Sequence, residues 1–201
     1  MGTRHLVIVK TKTRIAIAQY GQYDGYPSSA GVDILSFIEK NDMKVFAEKL
    51  KKCKFISEQQ INKLEREVGE EALKSIYEVM GVDILKFVYD TKDVVSLRND
   101  YKFAGDTAFC EWVYVLDMET SFLHVFKGLN RHVKLEKGDM FYDLQTDFET
   151  PYDSYCLGIH PPRLVKSVEF KDAGTSYDMM NALEKKLKDE ESLLPEYSLD
   201  D

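Results

Sequence analysis

The sequence predicts an α+β domain, mostly antiparallel β-hairpins layered with helices, on three observations. Two stretches, residues 4–20 and 110–127, alternate as paired strands do. Residues 32–90 between them carry helical spacing, and one further helical pattern closes the chain ahead of an acidic tail.

The first hairpin pairs Arg4–Lys10 with Arg14–Tyr20 across the turn Thr11-Lys12-Thr13. Side chains alternate along a strand, which sets Leu6, Ile8, Ala16 and Ala18 on one face. His5, Val7, Val9, Ile15, Ile17 and Gln19 fall on the other. Both faces are largely apolar, so the hairpin is expected to be covered on both sides and interior to its sheet. If Arg4 lies opposite Tyr20, Thr3 comes close to Gly21.

Residues 21–31 hold Gly21, Gly25, Gly31 and Pro27, which predicts a structured turn region. A helix follows from Val32, with Ile34, Leu35 and Ile38 on one face, and another covers Lys44–Lys52. Ser57-Glu-Gln-Gln60 has capping-box spacing. Helical segments continue through Leu64 and across Glu70–Met80. The second hairpin joins Cys110–Asp117 to Phe122–Lys127 through Met118–Ser121, with Glu111 on an otherwise apolar face. Further strands are expected at Met140–Leu144 and at Leu164–Phe170, after Pro161-Pro162. The last helix spans Tyr177–Leu193 and leads into a flexible acidic tail, about residues 189–201.

One internal repetition stands out. Gly31-Val-Asp-Ile-Leu-Ser-Phe-Ile38 recurs 50 residues later as Gly81-Val-Asp-Ile-Leu-Lys-Phe-Val88. It admits two readings, a duplicated helical unit or two helices that dock alike; no third copy supports a solenoid.

With 201 residues, 44% hydrophobic and 12% aromatic, the chain can bury a sizeable core in one domain spanning 1–201. A net charge of −8 argues against a general nucleic-acid binder, which needs a basic face. The densest basic stretch, Lys44 to Lys54, interleaves with Val45, Phe46 and Leu50 as the solvated side of an amphipathic helix does. Cys53, Cys110 and Cys156 are widely spaced, so neither a disulfide framework nor a zinc site is expected, and a reducing compartment is. His5, His124, His132 and His160 lack ligand spacing, so no metal is expected. The loop glycines are not followed by Gly-Lys-Ser/Thr, and no cofactor is expected. No apolar run could span a bilayer, no signal peptide is visible, and Leu6 spoils a myristoylation motif at Met1-Gly2. A cytoplasmic protein that meets no membrane is the expectation, and a homo-oligomer is admitted.

The most site-like stretch is Tyr20-Gly-Gln-Tyr-Asp-Gly-Tyr-Pro27. Tyr20, Tyr23 and Tyr26 offer flat surfaces with hydroxyl handles. Gln19, Gln22 and Asp24 can bond a polar ligand, and the glycines let backbone approach closely. The helix start near Val32 favours an anion. The alternative is a rigid turn whose tyrosines finish the core. Thr3 and Arg4 start beside this loop; Arg4 suits a carboxylate or phosphate, or simply pairs with Asp24. Glu111 beside Trp112 is the best candidate for a perturbed carboxylate; otherwise Arg4 or Arg98 satisfies it. Thr3 and Glu111 are the weak catalytic candidates. Asp83, Asp90, Asp93 and Asp106 are expected to be solvated.

Met1-Gly-Thr-Arg4, Ala18-Gln-Tyr-Gly-Gln-Tyr-Asp-Gly-Tyr-Pro27, Phe109-Cys-Glu-Trp112 with Tyr114 and Asp117, and Phe126-Lys-Gly128 together form a specific set over the first 130 residues. They resemble a family of uncharacterised proteins of phages, prophages, bacteria and some fungi. Its members begin Met-Gly-Thr-Arg and carry Gln-Tyr-Gly-Gln-Trp-Asp-Gly-Tyr-Pro. Here Tyr23 replaces the usual Trp, and Ser28-Ser29-Ala30-Gly31 stands where Gly-Gln-Gly is common. The resemblance implies a phage setting, and with it counter-defence in the host cytoplasm, by binding or degrading a nucleotide signal of host immunity. A remoter likeness is to N-terminal-nucleophile hydrolases, which open on a buried hairpin and form an α/β/β/α sandwich. Their chemistry needs the nucleophile's own α-amine, and Thr3 is preceded by Met1-Gly2.

Three functions are therefore in view. The first is capture of a small polar, anionic or nucleotide-like ligand by Thr3, Arg4, Gln19, Tyr20, Gln22, Tyr23, Asp24, Tyr26, Glu111 and Trp112. The second is an amidase or phosphodiesterase using Thr3 or a Glu111-assisted water. The third is a protein-interaction module using the helices and acidic tail. Capture is the leading expectation.

Overall fold

β1 (His5–Lys10) is the strand around which the rest is arranged. In the computed structural model, which describes residues 2–68, 79–106, 108–130, 134–144 and 160–191, it pairs with a neighbour on each side. β2 (Ile15–Gly21) lies antiparallel to it, with Leu6 opposite Tyr20 and His5 opposite Gly21. The expected register, Arg4 opposite Tyr20, is therefore two residues out. A bulge between Val9 and Lys10 corrects a second expectation. Val9 faces Ile17 and Lys10 faces Ile15, which leaves Ala16 as the extra residue. Ala16 thus joins the core with Val7 and Val9, while Ile15 turns to the Leu6–Ile8 side.

The second hairpin is β5 (Trp112–Asp117) with β6 (Phe122–Lys127), and β6 continues to β7 (Arg163–Glu169). β1 and β5 run parallel, so the five-stranded sheet is mixed, in the order β2-β1-β5-β6-β7. β1 and β5 are interior; β2 is an edge, contrary to the expectation that the whole hairpin is central. Its outer side is covered: the Gly81 N–H donates to Tyr20 O at 2.9 Å and Asp100 N–H to Ala18 O at 3.0 Å. Beyond β2 lies a second, parallel sheet of two strands, β3 (Cys53–Phe55) and β4 (Val95–Leu97), too short to be legible in the sequence.

Helices cover one face of the large sheet. α1 (Val32–Lys40) inserts Ile34, Leu35, Phe37 and Ile38, and α2 (Met43–Leu50) adds Phe46 and Leu50. Asp42 caps α2, accepting from the N–H groups of Lys44 at 2.8 Å and Val45 at 3.3 Å. The Ser57 capping box forms at α3 (Glu58–Val68): Ser57 N–H donates to Gln60 Oε1 at 2.8 Å, and Gln60 N–H to Ser57 Oγ at 3.3 Å. α4 (Asp83–Asp90) and α5 (Tyr177–Glu191) complete this layer through Ile84, Leu85, Val88, Met180, Leu183 and Leu187. These side chains of α1, α2, α4 and α5 share one core with Val7, Val9, Ile17, Trp112, Tyr114 and Leu116 of the sheet.

The opposite face, with Leu6, Ile8, Val113, Val115 and Phe126, is covered by the 3₁₀ turn Tyr101–Gly105 and by Leu135 and Phe141. The fold is α+β. Among the described residues the two sheets are unequal, and turns rather than a second large sheet cover this face. The strand expected at Met140–Leu144 is instead a turn with a 3₁₀ segment, Tyr142–Leu144. Five residues of mixed polarity suit either, and here Tyr142 N–H bonds back to Asp139 O at 3.1 Å. The expected helix at Glu70–Met80 and the tail after 191 lie largely outside the described residues.

Candidate functional site

The loop between β2 and α1 is pinned to the start of the chain. Gly25 N–H donates to Thr3 O at 3.0 Å, and the buried Tyr114 hydroxyl donates to Gly25 O at 2.7 Å. Asp24 takes a positive φ of 53°, which its short polar side chain tolerates. From Pro27 a single wide turn of π type, Pro27–Gly31, runs straight into α1.

These constraints enclose His5. Its ring is buried, 3% exposed, and stands edge-on to Tyr114 with centroids 6.2 Å apart. Backbone covers it where side chains could not. A Cβ on Gly21 would stand 2.2 Å from His5 Cε1, and one on Gly81 would stand 2.6 Å from Nε2. Gly81 also has φ +56°, a conformation that favours glycine. Among the described residues neither ring nitrogen makes a well-formed hydrogen bond, and the nearby Thr3 carbonyl is the backbone group that bears on the ring. Burial pushes the ring's pKa down to about 4; the Thr3 carbonyl and the Asp24 charge lie close enough to oppose this only in part.

His5 forms part of the floor of an open cleft of about 280 Å³. Its walls include Gln22, Asp24, Ser29, Asp33 and Asp83, and no Lys or Arg among the described residues lines it. The carboxylates of Asp24, Asp33 and Asp83 have no hydrogen bond or ion pair to protein among the described residues. Partial burial raises the Asp33 carboxyl above its ordinary value, and repulsion from Asp83 and Asp24 adds to the effect. No group of three or more His, Cys, Asp or Glu among the described residues is placed to hold a metal ion.

Asp33 and Asp83 occupy the same position of the repeated Gly-Val-Asp-Ile-Leu. From Gly31 to Leu35 and from Gly81 to Leu85 the sequence of burial is identical: buried, half-buried, exposed, buried, buried. Both stand in the first turn of their helices, α1 and α4, where a helix N-terminus favours a carboxylate. Asp83 is exposed, as expected, but it faces this cleft; His5, Ser29 and Asp33 were not expected in a site at all. The repetition was the signal that could have found Asp33 and Asp83; it does not reach His5 or Ser29.

The other expected site residues divide. Gln22, Tyr23 and Asp24 line the cleft, and Thr3 lies buried behind it, bonded to Gly25. Gln19 is buried in the strand opposite Val7. Tyr20 turns to the other face of the sheet: its ring meets Phe103 at 4.8 Å, its hydroxyl donates to Gln22 Oε1, and its N–H donates to Asp100 at 3.0 Å. Tyr26, Glu111 and Trp112 line a separate hollow of about 170 Å³ beside Lys127 and Glu184. The Arg4 guanidinium lies over the Phe109 ring, 4.7 Å from its centre, and makes no ion pair with Asp24 or Glu111. Glu111 is satisfied by the Arg4 backbone instead, accepting from its N–H at 3.2 Å. The single pocket expected from Thr3, Arg4, the loop and Glu111 is thus two hollows. Register is the reason, since Arg4 falls level with the loop rather than with Tyr20.

A larger hollow, about 830 Å³, lies at the far end of the first hairpin, against Val115 and Phe126. Its charged groups are largely engaged: Lys10 bonds Asp117 at 3.1 Å, and Arg14 bonds the carbonyls of Leu50 at 2.9 Å and Cys53 at 2.7 Å. Cys53 and Cys110 are buried and their thiols are pushed up, that of Cys53 to about 11, so neither offers a thiolate. No helix among the described residues is long and apolar enough to cross a membrane. Comparison with protein-family descriptions, curated proteins and solved structures yields no match.

Proposed function

We propose that the protein binds a small polar ligand in the cleft between Gln22–Asp24 and Gly81–Asp83. The observation that carries this reading is His5, whose two ring nitrogens are buried at the floor of an open polar cleft and make no well-formed hydrogen bond to the described protein. An unsatisfied buried polar group costs about 1–3 kcal/mol, and buried polar atoms in native proteins are nearly all bonded. A donor at the cleft floor, from a ligand or a water it anchors, would satisfy the ring. The open carboxylates of Asp24, Asp33 and Asp83 supply acceptors around it.

In the phage setting that the family resemblance implies, the ligand belongs to the infected host, and a nucleotide signal of host immunity is one candidate. The cleft sets terms for it. With three carboxylates and no cation among the described residues of its walls, a nucleotide would enter by the amino edge of its base and keep its phosphates outside.

A thermal-shift panel of nucleotides, cyclic nucleotides, ADP-ribose derivatives and small amines tests the reading. A ligand at a hundred times its Kd contributes about 2.7 kcal/mol, a shift of several degrees. That shift should be lost in Asp24→Ala and His5→Gln. The reading is overturned if no compound stabilises the protein, or if both variants respond as the wild type does.

A further inference from the structure

We propose that the cleft recognises an organic cation, a small ligand bearing protonated primary amines or a guanidinium, through Asp33 and Asp83 of the repeated Gly-Val-Asp-Ile-Leu together with Asp24. The proposal rests on the capture reading and names the class of ligand. Four observations carry it.

First, the three carboxylates face one cleft, and no Lys or Arg of the described chain lines it to neutralise them. Second, they are near enough to repel one another: Asp83 and Asp24 both disfavour the charge on Asp33. Like charges assembled without a counter-charge destabilise the empty protein, and a bound cation removes that destabilisation. Third, the carboxylates are not arranged to converge on a metal ion. Separate acceptors suit a ligand whose N–H donors are spread in space, as those of a diamine, a triamine or a guanidinium are. Fourth, the buried His5 beneath the cleft is neutral, so it adds no competing positive charge, and its ring nitrogens make no well-formed hydrogen bond to the described protein. At about 280 Å³ the cleft is at the small end of ligand sites.

The repetition explains how the pair arises. Each copy starts a helix with its Gly-Val-Asp at the same depth, so docking both helices on one sheet face brings two equivalent aspartates to the cleft.

The test is a calorimetric titration of the full chain with putrescine, spermidine and agmatine. AMP and glucose serve as anionic and neutral probes, and the His5 ring ¹⁵N signals are followed in parallel. At least one amine should bind and shift those signals. Its Kd should rise about tenfold in each of Asp33→Asn and Asp83→Asn, and salt should weaken it. Both variants should match or exceed the wild type in Tm when empty, because they relieve repulsion; a merely structural aspartate would lower Tm instead. Amines that bind all three proteins equally, or leave His5 unmoved, overturn the proposal. If only AMP or glucose shifts His5, the cation reading falls and capture in the cleft stands. If no probe shifts His5, the cation reading falls, and the wider nucleotide panel alone decides capture.

Discussion

At the scale of single residues, His5 shows how backbone composition makes room for chemistry. An imidazole fits beneath the loop because Gly21 and Gly81 leave the space that side chains would fill. That enclosure has a consequence for acid stability. The ring's pKa is lowered from 6.5 to about 4, so the native state refuses a proton that the unfolded chain accepts. Above pH 6.5 the ring is neutral in both states and contributes nothing. From there down to about pH 4 stability is lost, by about 3 kcal/mol for this ring alone at 1.36 kcal/mol per pH unit. Asp24 and Thr3 draw the ring's pKa back somewhat, and the raised Asp33 carboxyl has the opposite slope, gaining stability as the carboxylate range is entered. Urea unfolding at pH 7.5 and pH 4.5 should therefore show a clear loss in the wild type and a much smaller one in His5→Gln. Parallel curves for the two proteins would remove His5 from the acid response.

At the scale of elements, the turn between β5 and β6 is held by one buried carboxylate. Asp117 Oδ1 accepts from the N–H groups of Glu119 at 2.9 Å and Thr120 at 3.3 Å, while Oδ2 accepts from Lys10 Nζ at 3.1 Å. Burial alone would raise its pKa, but Lys10 and the two N–H groups outweigh that and hold it below its ordinary value. Asp117→Ala should lower stability by about 1–2 kcal/mol in urea at neutral pH, since two backbone donors lose a charged acceptor. A loss under about 0.5 kcal/mol would mean that strand pairing alone holds the turn. Elements of this kind were legible in the sequence, because alternation and turn residues are local signals. Both hairpins, α1, α2 and the Ser57 capping box are there to be read. The bulge at Ala16 was not, since one extra residue leaves the apolar pattern plausible on either face. Nor were β3 and β4, whose three residues each are too few to show a period. At the candidate site the Gly-rich loop was legible from its composition. His5, Asp33 and Asp83 were not, because they meet only when two helices dock on one sheet.

At the scale of the whole molecule, the decisive contact is the parallel pairing of β1 with β5, which joins the two hairpins. The sequence displays each hairpin but not their union, since a parallel pair needs a long crossover and residues 21–111 supply it. The union places β1 and β5 at the centre. Leu6 to Val9 are wholly buried from both faces, and all six residues of β5 are buried. β7, by contrast, pairs on one side only among the described residues and alternates half-buried with exposed residues along most of its length. Opening β7 releases one ladder and little apolar surface, whereas opening β1 or β5 disrupts both cores at once. Local stability follows the apolar surface an opening exposes. Ladder-bonded amides of β1 and β5 should thus exchange with solvent only through global unfolding. Those of β7 should exchange faster by on the order of a hundredfold, a difference of about 2.7 kcal/mol. Native-state hydrogen exchange resolved by residue measures this directly. Equal protection in β7 and β1 would show that the sheet opens as one unit and that the β1–β5 junction is not its most stable part.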